Sequence, residues 1–221
     1  MIVTMDGPAG AGKSSLARQL AQRLGFAFLD TGAMYRCVTL VCLQRVMDLN
    51  NEAAIAQLAE SISIEFEGEQ TLIDGQDVSD QLRTPEVTGS IRPIADNQLV
   101  RKQMVRLQQA WAGNRNVVTE GRDQGTVAFP MAECKIFLTA SPEERAKRRV
   151  AQLDAQGRVA DYAAILAQQS QRDFEDTGRV VGGLKAATDA IHVHTDGMSE
   201  EEVLTRLEEL VRSRFVSYVS G

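Results

Sequence analysis

The feature that most constrains the fold is a glycine-rich turn between a predicted strand and a predicted helix. Residues 7–14 read GPAGAGKS and match G-x-x-x-x-G-K-[ST], the P-loop pattern. The apolar run Met1–Met5 precedes the motif, and residues 13–24 carry apolar side chains at helical spacing before Gly25 predicts the helix end. The order of strand, glycine loop and helix predicts a P-loop at the edge of a parallel sheet.

This motif predicts a nucleoside triphosphate site. Glycines let the backbone curl so that successive N–H groups point at phosphate oxygens. Lys13 can reach the β- and γ-phosphates, and the Ser14 hydroxyl can ligate Mg²⁺. A chance match is the alternative, and the flanking strand and helix disfavour it. The predicted phosphate-binding residues are Gly7, Pro8, Ala9, Gly10, Ala11, Gly12, Lys13 and Ser14.

Charge and composition favour small-molecule chemistry. With 221 residues, 43% of them hydrophobic, the chain can build one α/β core with a small appended lobe. The net charge of −6 argues against a nucleic acid or a membrane surface as partner, because both are polyanions. Cys37, Cys42 and Cys134 form no C-x-x-C pattern, so we expect reduced core residues. No apolar run approaches about 18 residues, the N-terminus predicts a core strand, and we expect a cytoplasmic monomer.

Strand signals predict a five-stranded parallel sheet with a small antiparallel insert. An alternating strand at residues 62–66 and a second near residues 71–73, separated by turn residues, predict an insert of roughly 25 residues. The predicted core strands are residues 1–5, 26–29, 116–119, 135–139 and 190–194.

Helix signals fill the connections between these strands. A helix is expected from near Ala33 to about Met47, and another is expected to begin with Pro93 in its first turn and to stop at Gly113. Capping boxes begin at Ser141 and Ser199. Residues 145–158 predict a charged helical hairpin around Gly157.

Three further polar clusters follow strands or lie on helices, and ligands of open parallel sheets bind at the carboxyl edge. Residues 30–36 offer a hydroxyl, an aromatic ring and a guanidinium in Thr31, Tyr35 and Arg36, a set that can hold a phosphate and stack on a base. The alternative is an ordinary helix N-cap by Thr31 with a solvated Arg36.

The next cluster follows the strand that ends at Thr119. Arg122 can clamp a phosphate, and Asp123 can accept hydrogen bonds from an exocyclic amine, although an ordinary surface ion pair is the alternative. Further along, Arg172, Asp176 and Arg179 share one helical face, which a solvated charged surface would also explain. Together these residues predict two bound phosphorylated molecules and phosphoryl transfer, which arginines, a lysine and Mg²⁺ catalyse by charge stabilisation.

The chain resembles the bacterial cytidylate kinases of the nucleoside monophosphate kinase group along nearly its whole length. The resemblance rests on residues 6–15, on residues 29–36 (LDTGAMYR) and on residues 121–130 (GRDQGTVAFP). It also rests on residues 135–138, on the run ERAKRR at 144–149, and on Arg172 with Asp173, Asp176 and Arg179. Only the first of these is general to P-loop proteins.

The resemblance implies transfer of the ATP γ-phosphate to CMP or dCMP. By position, it implies that Arg36, Arg122 and Arg179 hold the acceptor phosphate and that Arg101 and Asp123 read the cytosine. Asp176 and Arg172 would meet the sugar, and Arg148 and Arg149 would belong to a lid over the triphosphate. Ser15 and Arg148 join the ATP-binding residues, and the implied catalytic residues are Lys13, Arg122, Arg149 and Arg179. A carboxylate at Asp123 favours CMP over UMP, because it accepts from the cytosine amine and repels the uracil carbonyl.

The expected fold is therefore a three-layer α/β P-loop NTPase fold over residues 1–221. It has a five-stranded parallel core sheet, a monophosphate-binding insert at about residues 31–113 and a lid at about residues 148–172. Two positions depart from the family pattern: Arg92 stands where a base-contacting serine is usual, and Gln98 stands in place of a proline. Mg²⁺ is expected to arrive with ATP, because the sequence shows no metal cage.

Overall fold

The computed structural model describes residues 1–68, 70–178 and 182–219, with side chains up to residue 214. Arg179, a predicted site residue, lies outside this description. The chain divides into two compact units. The first unit, which we call the core unit, comprises Met1–Leu29 and Ala112–Gly221, and the second, the insert unit, comprises Asp30–Trp111.

The described part of the chain forms eight strands and eight α-helices. The strands are β1 (Ile2–Asp6), β2 (Ala27–Asp30), β3 (Ile64–Glu67), β4 (Gln70–Ile73), β5 (Gln76–Asp77), β6 (Val117–Gly121), β7 (Cys134–Thr139) and β8 (Ile191–His194). The helices are α1 (Lys13–Leu24), α2 (Thr31–Gln44), α3 (Glu52–Ser61), α4 (Pro85–Asp96), α5 (Gln98–Ala112), α6 (Pro142–Ala155), α7 (Tyr162–Thr177) and α8 (Glu200–Val219).

A five-stranded sheet in the order β2-β6-β1-β7-β8 forms the core, which confirms the predicted sheet. Strand β1 pairs in parallel with β6 and β7 on either side, and β7 pairs in parallel with β8. Strands β1 and β6 carry almost only buried side chains, as expected for a parallel sheet covered on both faces. The carboxyl ends of β1, β6 and β7 therefore lie next to each other and carry the loops that follow them.

Helix α1 anchors the P-loop on this sheet. It begins after Gly12 and ends at Gly25, both in the left-handed conformation that glycine adopts without a steric penalty. Its apolar face, including Leu16 and Leu20, packs into the core cluster with residues of β1, β7 and α8. The capping box at Ser199 is confirmed, since its hydroxyl accepts from the Glu202 amide and its own amide donates to the Glu202 carboxylate. At Ser141 the hydroxyl accepts from the Glu144 amide, but the Ser141 amide donates to Asp196, so the predicted box is only half formed.

The insert unit contains the antiparallel sheet β3-β4-β5 that the sequence predicts. Helix α2 begins two residues earlier than expected, at Thr31, and its N-cap is Asp30, whose carboxylate accepts from the Ala33 amide at 2.9 Å. The alternative of a Thr31 cap is therefore wrong, because the carboxylate at the strand end already fills that role. Cys37 and Cys42 are free and buried, as is Cys134 in the core unit, which confirms reduced core cysteines.

The predicted helix that begins at Pro93 and stops at Gly113 is two helices. Pro85 occupies the first turn of α4, which Thr84 caps, and Pro93 lies inside that helix near its end. Asn97 then begins α5, because its side-chain oxygen accepts from the amides of Leu99 and Val100. Pro93 is exposed, so water can satisfy the carbonyl that loses its helical donor.

A π-helix at Gln124–Ala128 follows β6, and the sequence did not indicate it. The hairpin of α6 and α7 is confirmed, with Gly157 in the left-handed conformation after α6. Within the described ranges, none of the helices combines the length and the hydropathy that crossing a bilayer requires.

Candidate active site

The P-loop of the core unit curls around the ammonium group of Lys13. Gly7, Gly10 and Gly12 all have positive φ, and a Cβ on Gly7 would lie 2.0 Å from the Leu138 carbonyl oxygen. Lys13 is buried, and its Nζ donates to the Pro8 carbonyl at 2.8 Å. A loop of this shape directs backbone amides inward, which is the arrangement that binds a polyphosphate.

Several charged side chains near Lys13 shift its pKa. Burial and, second, the charge of Arg122 lower the pKa of Lys13 to about 7. Glu120, Asp6 and Asp176 act in the opposite direction on the same ammonium group. The structure thus brings Lys13 together with Arg122 and Asp176, each of which lies more than a hundred positions further along the chain.

Glu120 joins this group and had no role in the sequence-based prediction. It is the penultimate residue of β6, it lies in register with Met5 of β1, and it is buried. The Ser14 hydroxyl donates to its Oε1 at 3.0 Å. An acidic residue at the end of a predicted core strand is the signal that could have indicated it.

The Ser14 and Glu120 oxygens fit a magnesium ion. Mg²⁺ prefers hard oxygen ligands and usually keeps water and substrate phosphates in its coordination sphere, so it needs few protein ligands. Among the residues described, no three His, Cys, Asp or Glu side chains cluster as a metal cage.

Arg122 and Asp123 lie in the turn between β6 and the π-helix. Arg122 donates from Nε to Asp176 Oδ2 at 2.8 Å and from Nη1 to the Gly121 carbonyl. Asp123 is 6% exposed. The alternative of a surface ion pair between these neighbours is wrong, because Asp123 is buried and Arg122 pairs with Asp176 of α7.

Buried polar groups also join α7 to the P-loop, and no local sequence pattern predicted this contact. Arg145 of α6 is 2% exposed and donates to the Ala9 carbonyl of the loop at 2.8 Å. A second nitrogen of Arg145 pairs with Asp173 of α7, and a Cβ on Gly10 would lie 2.9 Å from Gln169 Nε2. The predicted lid helix α7 therefore packs directly beside the phosphate-binding backbone.

The remaining predicted site residues of the core unit lie on α6 and α7. Arg148 donates to Glu144 and to both the hydroxyl and the carbonyl of Thr195, just after β8. Arg149 is exposed and donates to Gln152, one turn along α6. Arg172 is exposed on α7. Their roles toward nucleotides stay predictions.

In the insert unit, the first turns of α2 present Thr31, Tyr35 and Arg36. Arg36 Nη1 lies 2.9 Å from the position of a Cβ on Gly32, so a side chain at position 32 would require this guanidinium to shift. Within the described residues, the buried Arg36 Nε has no hydrogen-bond partner. An unpartnered guanidinium nitrogen suits an anionic ligand.

Arg101 of α5 belongs to the same unit and is 6% exposed. Its guanidinium lies 6.0 Å from the centre of the Tyr35 ring and donates to the Ala95 carbonyl at 3.1 Å. Arg92, at the family's serine position, is exposed on α4 and pairs with Asp96 one turn on. The structure thus places Tyr35, Arg36 and Arg101 in one unit.

The parallel sheet, the curled glycine loop and the buried lysine define a P-loop nucleotide-binding protein of the kinase type. Solved structures agree on the fold: TT1252 from Thermus thermophilus matches with a TM-score of 0.53 at 16% identity, covering 96% of each chain. A gluconokinase from Sinorhizobium meliloti matches with a TM-score of 0.52 at 15% identity, covering 99% of this chain and 96% of that one. At such identities the likeness shows the fold alone.

Comparison by sequence identifies the family, because a cytidylate kinase family model matches residues 3–213. A cytidylate kinase from Rhodopirellula baltica is 52% identical, covering 96% of this chain and 93% of its own. Cytidylate kinase 1 from Haemophilus influenzae is 44% identical over 99% and 96%, and a cytidylate kinase from Rhodococcus jostii is 46% identical over 97% and 96%. The chain belongs to the cytidylate kinase family.

Proposed function

We propose that this chain transfers the γ-phosphate of ATP to CMP or dCMP, giving ADP and the corresponding diphosphate. Full-length similarity to cytidylate kinases supports the reaction. The single observation that carries it is the cluster of Lys13, Glu120, Arg122 and Asp176 at the P-loop. This cluster combines the donor-phosphate lysine with an acceptor-phosphate arginine, as in-line phosphoryl transfer requires.

The P-loop binds ATP in this proposal. The backbone amides of residues 7–15 cradle the phosphates, and Lys13 neutralises charge on the β- and γ-phosphates. Because Lys13 is buried, water screens this interaction little. Arg148 and Arg149 of α6 contribute further positive charge toward the triphosphate.

Ser14 and Glu120 would hold Mg²⁺, the first through its hydroxyl and the second through its carboxylate. When bound, the ion supplies charge neutralisation at the β- and γ-phosphate oxygens. Lys13 adds to that neutralisation, and Glu120 orients the Ser14 hydroxyl even without the ion, as their hydrogen bond indicates.

Charged and polar side chains hold the acceptor nucleotide in this proposal. Arg36, Arg122 and Arg179 bind its phosphate, Asp123 and Arg101 read the cytosine, and Asp176 and Arg172 meet the sugar. Tyr35 and Thr31 complete the set. The Arg122–Asp176 ion pair keeps the guanidinium oriented until a phosphate arrives. The acceptor is already an anion, so the reaction needs no general base on the protein.

In this proposal residues 31–113 serve as the monophosphate-binding insert and residues 148–172 as the lid. The protein acts in the cytoplasm as a monomer. Its net charge of −6 disfavours binding to nucleic acids and to anionic membranes.

The test is a coupled assay of ADP formation from ATP and Mg²⁺, with CMP, dCMP, UMP, AMP, GMP and shikimate offered separately. We expect turnover with CMP and dCMP well above the others, and loss of nearly all turnover in Lys13→Ala. Lys102→Ala, which removes an exposed lysine of α5, serves as the matched control and should behave as wild type. Preference for another acceptor, or full activity of Lys13→Ala, would contradict the proposal.

A further inference from the structure

Asp6 is a buried carboxylate that the proposed reaction has not used. It is the last residue of β1, directly before Gly7 of the P-loop, and it is 3% exposed. Its Oδ1 accepts from the Gln124 amide at 2.8 Å, and its Oδ2 accepts from the Gly125 amide at 2.8 Å. One carboxylate thus binds two consecutive backbone amides of a segment that lies 118 and 119 residues further along the chain.

These two amides are the first two of the π-helix Gln124–Ala128, which directly follows Arg122 and Asp123. Amides in the first turn of a helix lack helical acceptors, and a carboxylate satisfies them. π-Helices are rare and occur frequently at functional sites. The carboxylate of Asp6 therefore fixes the backbone at the point where the proposed acceptor-binding turn ends.

Strand β1 and the start of the π-helix are in close contact. A Cβ on Gly125 would lie 2.9 Å from Thr4 Oγ1 and 3.4 Å from Asp6 Oδ2. On the other side of the turn, a Cβ on Gly121 would lie 2.7 Å from a side-chain carbon of Gln124. The turn that carries Arg122 and Asp123 is therefore packed at both ends.

Keeping a carboxylate at this position costs stability. Burial is the largest effect on Asp6 and raises its pKa to about 6, against the lowering effect of the two amides. Asp123 raises the pKa further and Lys13 lowers it. Because the pKa of Asp6 is raised from 3.8 to about 6 on folding, the folded chain loses stability as the pH rises between these two values, and the full cost is present above about pH 6. A buried carboxylate at this position therefore does not serve stability. Its two hydrogen bonds to the π-helix instead suit a role in aligning the turn that carries Arg122 and Asp123.

We propose that Asp6 is a positioning residue that sets the acceptor-binding turn, with Arg122 and Asp123, against the strand that carries the P-loop. This inference rests on the proposed function. It assigns Asp6 no contact with either nucleotide. Misplacement of reacting groups by about 1 Å can lower the rate about 100-fold. The two hydrogen bonds from Asp6 to the π-helix should therefore affect the rate.

The test is Asp6→Asn, assayed in the full chain against CMP, UMP and ATP. The amide keeps one acceptor but turns its NH₂ toward the second backbone N–H, so one hydrogen bond becomes a repulsion. We expect kcat/KM for CMP to fall about 10- to 100-fold, the ratio of kcat/KM for CMP over UMP to fall, and KM for ATP to change less than about threefold. Asp74→Asn is the matched control, because its carboxylate accepts from the Ser63 amide in the insert unit.

A second pair of variants keeps the inference testable if Asp6→Asn does not fold. Gly125→Ala pushes the same turn away from β1, so it should reproduce the CMP-specific loss. Adding Thr4→Ala removes the closest contact of the new methyl group and should restore part of the activity. Unchanged CMP kinetics, or equal losses toward CMP and ATP, would overturn the positioning role. Failure of the wild-type chain to phosphorylate CMP would instead overturn the proposed function.

Discussion

Lys13 shows how one residue can link nucleotide binding to pH. Burial, with Arg122 nearby, lowers its pKa to about 7, so above that pH the unliganded P-loop favours the neutral amine. Bound phosphates favour the ammonium form and raise the pKa again. ADP binding should therefore take up a proton at about pH 8, and affinity should fall as the pH rises above about 7.

Calorimetry of ADP binding in two buffers of different protonation enthalpy measures this proton uptake directly. Of the groups that face Lys13, Asp6 titrates near pH 6, so it is already ionised at pH 8. Lys13→Met should bind more weakly and without the additional proton. Identical apparent enthalpies in the two buffers for the wild-type chain would contradict the linkage.

In the proposed reaction, acceptor choice depends on Asp123. It is buried, and a cytosine amine paired with its carboxylate would be left without an acceptor in Asp123→Ala. We expect kcat/KM for CMP to fall, with a loss of transition-state stabilisation of about 2–4 kcal/mol. This is the scale for a buried polar group that has lost a charged hydrogen-bond partner. Steady-state kinetics with CMP checks this, with Asp80→Ala as an exposed carboxylate control. Unchanged CMP kinetics would remove the base-reading role.

At the scale of elements, Asn97 separates two helices and joins a third. Its Oδ1 caps α5, and its Nδ2 donates to the Glu52 carbonyl of α3 at 2.8 Å. Asn97→Ala should lower the free energy of unfolding by about 1–2 kcal/mol, mainly through the lost cap. Denaturant titration measures the change, and Asn50→Ala, an exposed position, should stay within about 0.5 kcal/mol. If both variants unfold alike, Asn97 does not carry the cap.

The elements that the sequence predicted best are those with local signals. Neighbouring residues determine the strand before the P-loop, helix α1 with its glycine stop, and the serine caps at Ser141 and Ser199. The predicted helix start at Pro93 was wrong. Without the capping contacts, proline in the first turn of a helix cannot be distinguished from proline near a helix end. The true start signals were Thr84 with Pro85, and Asn97.

The parts of the site that the sequence did not predict depend on distant contacts. Asp6 meets Gln124 across 118 residues, and Ser14 meets Glu120 across 106. The first two amides of the π-helix find their acceptor on β1, and no local pattern records this contact. The sequence predicts Arg145 only as part of a charged helical hairpin, whereas the structure buries it against the P-loop.

At the scale of the whole molecule, charge and exposed apolar residues bear on self-association. Large exposed apolar side chains occur on several separate segments of the described chain: Val46, Leu99, Val127, Met131, Val159, Tyr162 and Phe174. Single exposed apolar residues are ordinary on monomeric proteins. A net charge of −6 adds repulsion between copies at neutral pH.

We therefore expect one species of 24.2 kDa in sedimentation velocity at neutral pH and micromolar concentration. The repulsion vanishes as the pH approaches the isoelectric point of about 5.1, so association should increase there. Added salt at neutral pH separates the two contributions, because it screens charge repulsion but leaves a specific apolar interface intact. A dimer at neutral pH that persists at low and high salt would contradict the monomer and indicate that some of the exposed apolar residues form an interface.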